Sequence, residues 1–266
     1  MDIAFILGVL IGLGSVVAMV ILEGGSISSL ILIPPIILVW GATIGLGIAS
    51  GTLGDAILAA KSLPRVFIGK APKPGKTIEK LVEIADKARK GGMLSLEKDA
   101  SETKDPFMKN ALQNIADGTD GEELRTLLED QLESTVKQDA KTVKWFKILG
   151  GFAPTIGVLG TVISLTHVLE NLSNPEELGH MIAAAFIATF WGLASANFFW
   201  LPISDRLARL AALEMQNRQL IIEGALAIQS GIQPRLLGER LEAMIPPSEL
   251  GKKAAKGGDK KGKGDE

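Results

Sequence analysis

Between Phe152 and Leu169 the chain reads FAPTIGVLGTVISLTHVL. This run is apolar enough to cross a membrane, yet it holds Pro154, Gly157 and Gly160 together with the hydroxyls of Thr155, Thr161 and Ser164. Lipid alone does not call for that mixture. Small residues let a neighbouring backbone come close, and hydroxyls hydrogen-bond across helices or bind ions. A second apolar run, Met181 to Ile203, has Ala184, Ala188, Gly192 and Ala196 at every fourth residue, with Thr189 beside them. That spacing lines one face of a helix. The two runs read as the walls of a close-packed intramembrane site. The plainer alternative is a pair of packed membrane helices with incidental threonines, which lipid-buried helices tolerate.

Four apolar blocks approach the roughly 20 residues that a membrane helix needs: Ile3–Leu22, Pro35–Leu53, Ile148–Leu169 and Met181–Ile203. The chain of 266 residues is 47% hydrophobic, and that content sits in these blocks rather than being spread. The first block has no basic segment before it, so it reads as an uncleaved helix rather than a signal peptide. Glycines four apart (Gly8 and Gly12, Gly41 and Gly45, Gly47 and Gly51) predict faces for close helix contact. Pro34 and Pro35 suit a first helical turn, so the second helix is placed from there, after a loop over Glu23–Ile33. The connections Glu23–Ile33 and Glu170–His180 hold no Lys or Arg, whereas Lys61–Lys147 and the region after Ile203 hold many. The positive-inside rule then puts the basic regions and both termini in the cytoplasm.

The polar segment between the second and third blocks reads as helical. Thr77 is placed as a cap for a helix to about Lys90, with Ile78, Leu81, Val82, Ala85 and Ala88 on one face and Gly91–Gly92 at its end. Asp105-Pro106 opens the next helix, lined by Phe107, Met108, Ala111, Leu112 and Ile115 and stopped by Gly118. Asp120 and Glu123 form a capping-box pattern for a long helix that runs through Trp145 into the third span. Pro154 removes one backbone hydrogen bond there and is expected to kink or loosen it. After Ile203 come an amphipathic stretch, Asp205 to about Ser230, and a short helix near Leu236–Met244. The chain is thus expected to be an all-α integral membrane protein, with four transmembrane helices and a helical cytoplasmic domain between spans two and three. Its parts would be 1–53 (spans one and two), 54–147 (cytoplasmic), 148–203 (spans three and four), 204–250 (amphipathic helices) and a disordered Lys/Gly-rich tail over 251–266. That tail could touch anionic lipid, although its own acidic residues oppose this.

Several functions find no support. A net charge of −2 gives no basic field for nucleic acid. There is no cysteine, and His167 and His180 are too isolated for a metal site. No phosphate-binding glycine loop, zinc signature or catalytic dyad is found, so neither an enzyme nor a resident cofactor is expected. The interiors of the four blocks also lack acidic and basic residues, whereas ion pathways usually have an ionisable group at membrane depth. If this chain conducts ions, a partner must bring the carboxylate.

Three separated stretches resemble the MotA/PomA family of flagellar stator subunits, within the MotA/TolQ/ExbB group. They are Ala88–Glu97 (ARKGGMLSLE), Ala153–Thr161 (APTIGVLGT), and Ala184–Gly192 followed by Pro202. The resemblance covers about Met1 to Pro246. It implies a bacterial inner-membrane protein, a pentameric ring around a dimer of a MotB-like partner. That partner would supply a membrane aspartate and a peptidoglycan anchor, and the cytoplasmic domain would push on the rotor protein FliG. By the same resemblance, Arg89 and Glu97 are rotor-facing, with Asp86 and Lys90 as neighbours. Pro154 and Pro202 couple conformation, and Thr161, Thr189 and Thr155 line the ion path. The transported ion is sodium or a proton. Thr161 matches the sodium-driven pattern, Ala188 departs from it, and hydroxyl oxygens suit hard cations, which tips the expectation towards transient sodium near Thr161. Two alternatives remain at this point: a TolQ/ExbB-like energy transducer of the cell envelope, and a passive membrane scaffold.

Overall fold

The computed structural model describes residues 4–173 and 175–247; the expected tail over 251–266 lies outside them. Every described element is helical: α1 (Ala4–Leu22), α2 (Ile33–Ala49), α3 (Leu53–Ile68), α4 (Pro74–Gly91), α5 (Leu96–Glu102), α6 (Pro106–Ala116), α7 (Gly121–Glu170), α8 (Pro175–Ser195), α9 (Leu201–Gln229) and α10 (Pro234–Glu242), with short 3₁₀ and π segments between some of them. The chain divides into two compact units, formed by the described parts of Met1–Lys70 with Gln138–Leu210 and of Ala71–Lys137 with Ala211–Glu266.

The first unit holds the apolar helices. Among the described residues α1, α7 and the run from Leu178 to Gln229 contain segments long and apolar enough to cross a membrane, and α2 is a shorter apolar helix. α2 starts at Ile33, with its prolines in the first turn, and stops at Ala49 rather than Leu53. It stops because Thr52 and Asp55 begin a new helix. The Thr52 hydroxyl accepts the Asp55 N–H at 3.2 Å and the Asp55 carboxylate accepts the Thr52 N–H at 3.1 Å. This reciprocal capping box satisfies two otherwise orphaned donors. The resulting α3 was not foreseen. Arg65 on it makes a bidentate pair with Asp139 of α7, at 2.6 and 3.3 Å.

The loop before α2 contains a 3₁₀ turn, Ile27–Leu30, whose Leu30 carbonyl accepts the Trp191 indole N–H at 2.7 Å. Not all the glycine pairs make contact faces within the chain. A Cβ placed on Gly8, Gly41 or Gly45 would meet nothing within 4 Å, whereas one on Gly12 would press on Phe198 and one on Gly47 on Leu149.

The run expected to be a separate fourth span and a later amphipathic stretch is instead continuous. α8 passes into a π-helical turn, Ala196–Trp200, and then into α9. Pro202 explains the turn. It has no N–H for the Phe198 carbonyl, and the chain adjusts by letting the Leu201 N–H reach back five residues to Ala196.

The second unit is a conventional core. Ile78, Leu81, Ile84 and Ala88 of α4 pack with Phe107, Leu112 and Ile115 of α6, Leu124 and Leu128 of α7, Leu220 and Ile221 of α9, and Leu237 and Leu241 of α10. α4 starts at Pro74, so Thr77 is not its cap. Its hydroxyl donates instead to the Asn217 side-chain carbonyl at 2.7 Å. Gly92, at φ +78°, ends the helix where only glycine is unstrained. Asp105 caps α6 by accepting the Phe107 N–H at 2.9 Å. At the start of α7, Asp120 accepts the Glu122 N–H at 3.0 Å. The helix then runs without interruption through Trp145 to Glu170.

Candidate functional site

Within the first unit α7 and α8 meet backbone to backbone. A Cβ on Gly157 would lie 2.9 Å from the Ala188 carbonyl oxygen and 3.0 Å from the Gly192 Cα; one on Gly192 would lie 2.8 Å from the Ala153 oxygen. Only glycine permits this approach. One turn along, Gly160 receives Ala188, whose Cβ would be 2.9 Å from a Cβ on Gly160. Ala188 is fully buried, so the residue that departs from the sodium-driven pattern is a packing element of the seam.

This contact brings Thr161 and Thr189 together. Their hydroxyls hydrogen-bond to each other, and the Thr161 oxygen also lies 3.1 Å from the carbonyl oxygens of Gly157 and Ala185. Each hydroxyl carries one proton. If Thr161 donates to a carbonyl, Thr189 must donate to Thr161. Four oxygens therefore share two protons, and the cluster has lone pairs to spare. Hard cations take such oxygen sets. Among the described residues no group of three or more His, Cys, Asp or Glu is placed to hold a metal.

Beside the cluster lies a cavity of about 360 Å³, lined by Pro35 and Leu38 of α2, Gly160 and Ser164 of α7, and His180 and Ala188 of α8. His180, which the sequence marks only as too isolated for a metal site, is at this cavity; nothing in its neighbourhood in the sequence signalled that.

The other expected residues are dispersed. Thr155 is exposed on a different face of α7 and donates to the Phe152 carbonyl at 2.8 Å, so it does not join the threonine pair. Pro154 is half-buried inside α7, which stays helical through it, and Pro202 follows the π turn.

In the second unit Arg89 is exposed in the last turn of α4 and Glu97 is exposed in the first turn of α5. They form no ion pair with each other. Lys90 pairs instead with Asp86 at 2.5 Å. Lys87, which the motif did not single out, joins the two helices by donating to Asp99 at 2.7 Å, and it pairs with Glu83 at 3.1 Å. The hydrogen bond to Asp99, then that to Glu83, raises the Lys87 ammonium above its ordinary value. No local periodicity announces the Lys87–Asp99 pair, because its partners come from helices separated by the glycine turn.

The fold and the seam together define an all-helical membrane protein whose apolar helices enclose a polar, oxygen-lined contact. The profile of the MotA/TolQ/ExbB proton channel family matches residues 99–220. The chain is 34% identical over 242 residues to chemotaxis protein PomA of Vibrio alginolyticus, spanning 91% of this chain and 94% of that protein. It is 31% identical over 268 residues to motility protein A of Bacillus subtilis (strain 168), spanning 97% and 96%. Among solved structures it is similar to C. jejuni MotAB, with a TM-score of 0.88 and 28% identity over 93% of this chain and 97% of the other. It is likewise similar to the flagellar MotAB stator complex from Bacillus subtilis, with a TM-score of 0.84 and 28% identity over 92% and 96%. The chain belongs to the MotA/TolQ/ExbB proton channel family.

Proposed function

We propose that this chain is a flagellar motor stator subunit that couples sodium or proton flow to rotation of the flagellar rotor, the hydroxyl cluster favouring sodium. The observation that carries the ion path is the Thr161–Thr189 contact with the Gly157 and Ala185 carbonyls, an acceptor-rich cluster on glycine-thinned helices. The chain supplies shape and oxygens. A MotB-like partner supplies the aspartate and the anchor, and a ring of five copies surrounds a dimer of it. Near-full-length likeness to motility proteins and to MotAB stator complexes supports this reading over an envelope energy transducer.

In this reading the protein lies in the bacterial inner membrane with both termini cytoplasmic. α1, α2, the apolar half of α7, and α8 are the four spans. The 17 residues of α2 sit at the short end of what a bilayer requires. Pro154 and Pro202 are the points at which the third and fourth spans flex. Arg89 and Glu97, with Asp86 and Lys90 beside them, face FliG. Thr155, exposed on α7, meets the partner's helix rather than the threonine pair.

The test is motility of a deletion strain complemented with variants while external sodium is varied. Thr161→Ala and Thr189→Ala remove an oxygen but little volume, so the protein accumulates normally while swimming speed falls. Sodium-independent swimming of the unmodified protein would replace sodium by the proton. Full speed and an unchanged sodium dependence in both variants would remove the pair from the ion path.

A further inference from the structure

α2 runs antiparallel to α7 within the first unit. Leu38 packs on Gly160, and Gly47 on Leu149. Interpolating between these two contacts sets Thr43 opposite Ala153–Pro154. Thr43 has no exposed surface, and its hydroxyl has no hydrogen-bond partner among the described residues. The same holds for two indole N–H groups of this unit, those of Trp145 and Trp200. Trp145 reaches this face of α2: its Cε2, bonded to the indole nitrogen, would be 3.6 Å from a Cβ on Gly47. Trp200 reaches it through Trp40, with ring centroids 5.0 Å apart. Trp40, Thr43 and Gly47 fall on one side of α2, at spacings of three and four residues.

A carbonyl on α7 also lacks its usual partner. Pro154 has no N–H, so the Gly150 carbonyl is denied its ordinary helical donor. At Pro202 the chain meets the same shortage with a π turn; at Pro154 the helix continues without one. In membrane helices such freed carbonyls are satisfied by neighbouring hydroxyls, ordered water or local changes of helix type. A buried hydroxyl or N–H left unpaired is costly. One ligand class answers both needs. Bound waters can accept from the indoles and donate to the Thr43 oxygen and the Gly150 carbonyl, each making the two to four bonds typical of buried water.

We propose that Thr43, Trp145, Trp200 and the Gly150 carbonyl freed by Pro154 line an internal water-binding site among α2, α7 and the π turn that leads into α9. The site is separate from the threonine pair and does not depend on the stator reading. It makes Thr43 a positioning residue for the proline-interrupted turn of α7.

The test uses the full chain in lipid nanodiscs. Thr43→Val keeps the shape and removes the hydroxyl; Thr43→Ser keeps the hydroxyl. The expected result is a thermal midpoint lowered by roughly 2–4 °C or more in Thr43→Val and little changed in Thr43→Ser. Pro154→Ala restores the helical donor to Gly150, so in that background the Thr43→Val loss should shrink by at least half. A neutral or stabilising Thr43→Val overturns the site, because deleting an unpaired buried hydroxyl should stabilise. An undiminished loss in the Pro154→Ala background also overturns it, because the hydroxyl would then serve only its own helix. If Thr43→Val does not insert, solid-state NMR of the unmodified chain with ¹⁵N-indole tryptophan decides. Water cross-peaks at the Trp145 and Trp200 indoles, assigned with Trp→Phe variants, support the site, and their absence at both sinks it.

Discussion

The two units differ in how they join polar groups across helices. In the second unit polar side chains pair with one another across helices: Lys87 with Asp99, Thr77 with Asn217, Arg218 with Thr135 at 2.6 Å, and Glu223 with both Arg125 and Arg240. In the first unit most hydroxyls turn back on main-chain carbonyls. Ser15 bonds Ile11 at 2.9 Å, Ser50 bonds Leu46 at 2.7 Å, Thr166 bonds Val162 at 3.0 Å, and Ser204 crosses to Val143 at 3.1 Å. The apolar side chains differ as well. Leu81, Leu112 and Leu128 are fully buried in the second unit, whereas Leu10, Ile11 and Leu22 of α1 are 60%, 68% and 87% exposed. Water outside a protein drives large apolar groups inward. Lipid exerts no such drive, and helices in it associate through close packing and hydrogen bonds. The Thr161–Thr189 contact stands out because, unlike the charged Arg65–Asp139 pair, it joins two apolar helices through uncharged hydroxyls.

The strongest way to break this contrast is to truncate leucines on both sides. Leu112→Ala should cost about 2–5 kcal/mol, whereas Leu10→Ala should leave the thermal midpoint of the purified chain nearly unchanged. A large loss for Leu10→Ala would mean that the α1 face is covered by protein, not lipid.

Next come the glycines. Gly192→Ala drives a Cβ into main-chain atoms of α7, while Gly224→Ala meets the Leu81 side chain, with the Cδ1 2.6 Å away. Overpacking costs about 1–3 kcal/mol. The Gly192 variant should sit at the upper end, since backbone cannot swing aside, and the Gly224 variant at the lower, as read from the thermal midpoints. The reverse order would show that the α7–α8 seam can part.

Smaller still are the charges of the α4–α5 turn. An exposed charge contributes only about 0–1 kcal/mol to stability, and its larger role at a contact surface is to steer and register a partner. Arg89→Glu and Glu97→Lys should therefore leave expression and ion conduction intact while motility falls, and a matching reversal on FliG should restore part of it. Normal swimming of both variants at low ionic strength, where such contacts are least screened, would remove them from the rotor surface.

The smallest effect concerns Asp55. The Thr52 hydroxyl, then the Thr52 N–H, holds its carboxylate below the ordinary value of 3.8. A depressed pKa contributes stability at pH above 3.8 that is lost as pH falls through the folded value. NMR titration of Asp55 should give a midpoint below 3.8, and Thr52→Ala, which removes the hydroxyl but keeps the backbone N–H, should raise it towards that value. A midpoint already at 3.8 would mean that the cap does not persist in solution.

Much of the fold was legible because the cues were local. Asp105-Pro106, Gly92 and the apolar face of α4 act within a turn or two. The run of α7 into the apolar block was legible because no proline or glycine lies between Gly121 and Gly150. Thr77 misled because a threonine before an apolar-periodic stretch looks like a cap, and only the packing of α9 against α4 gave its hydroxyl another partner. The capping box at Thr52 was overlooked inside an apolar block. The π turn could not be foreseen, since Pro202 specifies that a donor is lost but not how the backbone answers.

The sequence by itself determined the apolar blocks, the glycine and alanine stripe and the presence of Thr161 and Thr189, because helical period and side-chain size are written residue by residue. Tertiary structure alone decided which threonines meet. Thr155 and Thr161 lie in the same run of the chain, yet only Thr161 faces the place where Gly157 lets α8 approach, and the Ala185 carbonyl that completes the cluster comes from a residue 24 positions away. Oxygen clusters of this kind depend on the separation and rotation of two helices, and those are set by glycine contacts on both helices at once.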